Sequence, residues 1–116
     1  MPRYLLLIYG NEQEWTSRDP EDQAAEFKLY GEYTDWLRER GWYQAGDALM
    51  PTATATSVRV RDGKTLSTDG PFAETKEQLG GYYVIQCENL DEAIDAGSRI
   101  PAARGGTIEV RPILET

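Results

Sequence analysis

The sequence predicts an α+β domain built from two β-α-β units with a β-hairpin between them. Three observations predict it. Two short runs, YLLLIYG at 4–10 and GGYYVIQCE at 80–88, are apolar on both faces, as buried strands are. Two segments carry helix-start chemistry, the first opening a stretch with an apolar helical stripe. Between them, SVRVR and KTLST flank Asp62-Gly63, the strongest short-range hairpin signal.

Each element has its own warrant. The first strand is ended by Gly10 and Asn11. In TSRDPEDQ, Asp19 is placed to cap a helix, Pro20 suits the first helical position, and Glu21 and Asp22 lie at the positive end of the dipole. That helix runs to about Arg40, with Ala24, Phe27, Tyr30, Thr34 and Leu37 as its inner stripe and Gly41 as its stop. WYQAGDAL reads as a strand closed by Met50 and Pro51. In the hairpin, Arg59 and Arg61 alternate with Val58 and Val60, so one face is solvated. NLDEA opens the second helix, with Asn89 as cap and Glu92 completing a capping box; it ends near Ile100-Pro101. TIEVRPIL alternates, with Ile108 and Val110 on one face and Glu109, Arg111 and Ile113 on the other.

This order is ferredoxin-like, with both helices covering one face of an antiparallel sheet. The other face carries Leu and Tyr side chains from the first strand and from GYYVIQC, and nothing in the chain remains to cover it. An exposed apolar sheet face predicts association, and a face-to-face homodimer closing a barrel-like layer is the economical arrangement.

The chain's 116 residues fit one domain, 1–116, and a chain of this size buries roughly two-thirds of its unfolded surface without a disulfide or metal staple. Hydrophobic residues at 40% and charged residues at 28% indicate a globular protein. A net charge of -8 repels phosphate backbones, so no nucleic-acid partner is expected. The single cysteine, Cys87, lies in an apolar run and reads as a small buried hydrophobe in a reducing compartment. There is no histidine, hence neither the commonest general base nor the commonest transition-metal ligand; no metal or cofactor is expected. GDALMPT and ARGGT lack the Gly-Lys-Ser/Thr ending of a phosphate loop. The apolar run Tyr4 to Tyr9 is too short for a signal core or a bilayer span, and mean hydropathy is -0.60, so a cytoplasmic protein with no membrane partner is expected.

DGPFAETKEQLGGYYVIQCENLDEAI, followed by IEVRPI and preceded by the opening RYLLLIYG, resembles the YCII-related family, in particular its DGPF branch, over almost the whole chain. DGPF, then ETKE, then GG and an aromatic, then EVRP at this spacing is a specific match. The resemblance implies a fold similar to the dimeric α+β barrel proteins and a biochemical role that is largely unassigned. Related YCII proteins are suspected enzymes with a His–Asp pair in a cleft between the sheet and the loop region; with no histidine here, that pair does not transfer. Genes for DGPF proteins often neighbour those for extracytoplasmic-function sigma factors, so the resemblance also implies a sigma factor as a regulatory partner.

The motif also poses a question of chemistry. Asp69-Gly70-Pro71 forms a turn, and Phe72 would plug the loop into the core. Glu74, Lys76 and Glu77 follow at once, and the loop feeds a strand of the apolar face; charges delivered to the mouth of an apolar cavity are usual in small-molecule sites. Glu109 and Arg111 would point into the layer between subunits, where a charged pair must be bonded or must bind something. A salt bridge with each other, or with Asp69, Glu74 or Lys76, is the structural alternative. Tyr9, Tyr82 and Tyr83 offer hydroxyls near the same cavity; Trp15, Trp36 and Trp42 read as packing or interface residues.

Two functions stay open. One is a homodimer binding a small molecule, with metal-free acid–base chemistry: Asp69 as general acid or base with Glu74 in support, Lys76 or Arg111 holding an anionic group, and Glu109, Tyr9 and Tyr82 completing the site. The other is a non-catalytic dimer that binds a ligand or protein, as an accessory to a sigma factor.

Overall fold

The computed structural model describes residues 1–116. Strand β1 (Arg3–Gly10) leads through a short helix α1 (Glu12–Thr16) into the long helix α2 (Pro20–Glu39) and strand β2 (Tyr43–Ala48). The hairpin β3 (Thr56–Arg61) and β4 (Lys64–Asp69) follows, then β5 (Gln78–Gln86), α3 (Leu90–Ser98) and β6 (Thr107–Pro112). Four strands form one antiparallel sheet in the order β2-β5-β1-β6, while β3 and β4 form a separate two-stranded sheet. The fold is therefore mixed α+β, with the expected connectivity and an additional helix, α1. EQEWT carries no apolar helical stripe in the sequence, yet Asn11 caps it, accepting hydrogen bonds from the Gln13 and Glu14 N–H groups.

Period-two alternation sorts the sheet into two faces. Tyr4, Leu6 and Ile8 of β1 and Tyr83 and Ile85 of β5 are buried under the helices, where they meet Tyr33 and Leu37 of α2 and Ala93 and Ala96 of α3. The intervening residues are only half-buried on the open side. Cys87 is fully buried, and burial pushes its thiol up from its ordinary value.

The caps follow the sequence closely. Asp19 accepts from the Asp22 N–H and Asn89 from the Glu92 N–H, both at 2.9 Å. Glu92 completes its box one residue early, accepting from Glu88 N–H. At the end of α2, Trp42 N–H donates to Leu37 C=O and Gly41 N–H to Arg38 C=O, the paired bonds of a Schellman stop, with Gly41 at φ 73°. The Trp42 ring packs edge-on against Trp36, centroids 5.6 Å apart, as such stops favour.

Two packing expectations fail. Ala24 and Phe27 do not join the core; Phe27 is 82% exposed, and the helix seats itself instead through Tyr33 and Leu37. Phe72 is likewise 82% exposed and plugs nothing. The hairpin has no covered face: Val58, Val60 and Leu66 are exposed along with the arginines. It projects from a thin molecule of 48 × 44 × 19 Å, whose radius of gyration of 16.1 Å exceeds the roughly 13 Å of a compact domain this long.

Candidate functional site

The first half of α2 does not lie on the sheet but faces it across a cleft of about 360 Å³. Tyr30 and Phe27 project from the helix side and Trp15 from α1; Tyr43, Gly46 and Ala48 of β2 and Ile8, Gly80, Gly81 and Tyr83 supply the sheet side. Glycine makes room for this arrangement. A Cβ at Gly10 or at Gly80 would overlap the Trp15 ring, so the indole rests directly on backbone at the end of the sheet. A Cβ at Gly46 would come within 2.6 Å of the Tyr83 ring.

The loop that follows Asp69 anchors this end of the cleft. Gln78 Oε1 accepts from the Glu12 N–H at 2.9 Å, and the Gln78 side-chain amide donates to Thr75 C=O at 2.6 Å. Glu12 in turn accepts from both the N–H and the hydroxyl of Thr52, at 2.5 and 2.6 Å. Glu77 accepts from the Thr107 hydroxyl at 2.8 Å, and its carbonyl from the Thr75 hydroxyl. The segment ETKEQLGG thus ties α1, β5 and β6 together and seats Trp15 at the cleft.

Polar groups inside the cleft are few and mostly matched. Thr34 Oγ1 and the Tyr83 hydroxyl lie 2.9 Å apart. Burial pushes Tyr30 up to about 12, aided by the Glu26 charge, and raises Tyr83, so both phenols are neutral at neutral pH. Glu26 Oε2 is held by Arg18 through a short ion pair, while Oε1 makes no hydrogen bond. Outside the cleft, on the open face of the sheet, Asp47 Oδ2 accepts from the Tyr82 hydroxyl at 3.0 Å. No group of three or more His, Cys, Asp and Glu side chains is arranged to hold a metal ion.

The candidates read from the sequence fall in two other places. Asp69 closes β4 opposite Thr56, and Glu74 and Lys76 lie on the loop beyond it; all three are exposed, and their side chains make no hydrogen bond or ion pair. Gly70 adopts φ 95° at a bend and donates to Ala55 C=O at 2.7 Å, which continues the β3–β4 pairing by one residue; no hydrogen-bonded turn closes at Asp69-Gly70-Pro71. Tyr9, Tyr82, Glu109 and Arg111 lie on the open sheet face. Cross-strand pairing sets Tyr82 beside Leu7 and Leu7 beside Glu109, with Leu5 next to Val84 and Arg111. Arg111 Nη2 is 2.6 Å from Glu109 Oε2, an oxygen shielded from solvent and without an aligned hydrogen bond. Ile108 and Val110 face α3 at Gly97. Of all these candidates, Tyr82 alone borders the cleft.

A YCII-related domain model matches residues 2–116. The chain belongs to the YCII-related family. It is also similar to the uncharacterized protein R00369 of Rhizobium meliloti (strain 1021), 36% identical over 112 residues that cover 95% of this chain and 90% of that one. In this YCII-related chain the cleft residues Trp15, Glu26, Tyr30, Tyr43 and Asp47 carried no motif by which sequence could single them out. The one local signal was Gly80-Gly81 ahead of an aromatic pair, and its meaning depends on a tryptophan far away in the chain. No helix is long and apolar enough to cross a membrane.

Proposed function

We propose that this YCII-related protein is of the DGPF branch, a reading supported by DGPF, ETKE, Gly80-Gly81 and EVRP at their spacing, and is a homodimer that binds a small molecule in the cleft between α2 and the sheet. The observation that carries this reading is the cleft itself: about 360 Å³, walled by Trp15, Phe27, Tyr30, Tyr43 and Tyr83, with a few placed polar groups. That size and lining suit a ligand of one ring or its equivalent. The dimer is supported by the open sheet face, where Leu5, Leu7, Tyr9 and Val84 lie half-buried without a covering layer. A second sheet laid on it would also enclose the Glu109–Arg111 pair and the Tyr82–Asp47 bond. Acid–base work by Asp69 and Glu74 has no supporting contact within the protomer, so binding rather than turnover is the function proposed.

The test is a fluorescence and thermal-shift titration with small aromatic compounds, run beside sedimentation of the free protein. Binding should change Trp15 emission and weaken in Tyr30→Ala, whose dimer mass stays that of wild type. Binding that survives Tyr30→Ala unchanged would place the ligand elsewhere, and a monomer in sedimentation would remove the dimer.

A further inference from the structure

We infer that the cleft selects an organic cation, an amine or quaternary ammonium carried on a ring or short alkyl body. This rests on the cleft being a ligand site and adds the chemical class of its ligand. Glu26 is the carboxylate on the helix side of the cleft, and no Lys or Arg is among the lining residues; Asp47 borders the cleft from β2 but turns its side chain to the open sheet face with Tyr82. Tyr30, Tyr43, Tyr83, Phe27 and Trp15 line the cleft with aromatic rings, whose faces attract cations. Arg18 takes Glu26 Oε2 and leaves Oε1 without a hydrogen bond. Two cations stand just outside the lining: Arg18, spent on Glu26, and Arg38, whose guanidinium lies 4.8 Å from the Tyr43 ring centroid. The second shows that a wall of this cleft already stacks a planar cation on one face. The net charge of -8 works in the same direction over longer range.

The experiment is calorimetric titration of three probes of one shape: 2-phenylethylammonium, neutral 2-phenylethanol and anionic 3-phenylpropanoate. Each is titrated into wild type, Glu26→Gln and Asp47→Asn at neutral pH, with folding of each variant checked by thermal unfolding. The ammonium should bind about tenfold more tightly than the alcohol, with the carboxylate weakest. Glu26→Gln should cut that advantage several-fold and leave the alcohol's affinity unchanged, whereas Asp47→Asn, on the other sheet face, should change neither. If the alcohol or the carboxylate binds as well as the ammonium, or Glu26→Gln does not matter, the cation preference is wrong while the cleft remains a ligand site. If no probe binds at millimolar concentration, the cleft reading fails and takes this inference with it.

Discussion

The two halves of α2 are one helix with one apolar period, yet they do different things. In the second half Tyr33 and Leu37 are buried against the sheet, and the Tyr33 hydroxyl donates to Ala96 C=O of α3 at 2.7 Å. In the first half Phe27 is 82% exposed and Tyr30 hangs over the cleft. Trp15, seated on Gly10 and Gly80, takes the sheet surface at that end. A helical stripe specifies which face turns inward; what lies beneath is decided by residues far away in sequence.

The sharpest way to break this contrast is Leu37→Ala. The side chain is fully buried, so its loss should cost about 2–5 kcal/mol, read as a lower denaturation midpoint at unchanged slope. A loss under about 1 kcal/mol would mean the second half is no better seated than the first. Tyr33→Phe deletes one buried hydrogen bond and leaves the Ala96 carbonyl without that donor, for about 1 kcal/mol in the same measurement.

Alkaline titration sharpens the comparison differently. Burial raises Tyr33 above its ordinary value and pushes Tyr30 up to about 12. The phenolate is therefore more costly in the folded chain than in the unfolded one. The contribution of Tyr30 is complete below pH 10 and is lost as pH rises from there through about 12, and that of Tyr33 is lost at higher pH still. Phenolate absorbance should show exposed tyrosines ionising first, and Tyr30→Phe should remove part of the alkaline stability loss; an unaltered curve would mean Tyr30 is as solvated as Phe27. The smallest effect belongs to Phe27→Ala, whose stability should stay within about 0.5 kcal/mol of wild type while ligand affinity drops. Destabilisation beyond that would show that the first half is packed after all.

What the sequence disclosed follows the range of the interactions involved. Asn89 and Asp19 could be read as caps because a cap and its N–H partners are three residues apart. The Asp62-Gly63 turn, with both residues at positive φ, is equally local. The strands were legible from their apolar faces, and so was the facing of Ile108 and Val110 away from Glu109 and Arg111. The cleft was not legible, because Gly80 and Trp15, Gln78 and Glu12, or Thr34 and Tyr83 meet only once the sheet has formed. The motif residues drew attention by their charge. Glu77, Gln78 and Gly80 are the ones the fold uses, and they are bonded or covered by partners from other elements.

The place of β1 in the sheet also governs how the chain reaches its native state. It is the first strand in the chain and a central one in the sheet, flanked by β5 and β6, so that Arg3 meets Gln86 and Tyr4 meets Pro112. Neither hydrogen-bonding edge of β1 can be satisfied until most of the chain has been made. Closing loops that long comes before the contacts that reward it, which puts folding toward the slow, high-contact-order end for a domain this small. Until then YLLLIY is an apolar strand with two open edges, and a nascent or refolding chain is most exposed to mispairing there.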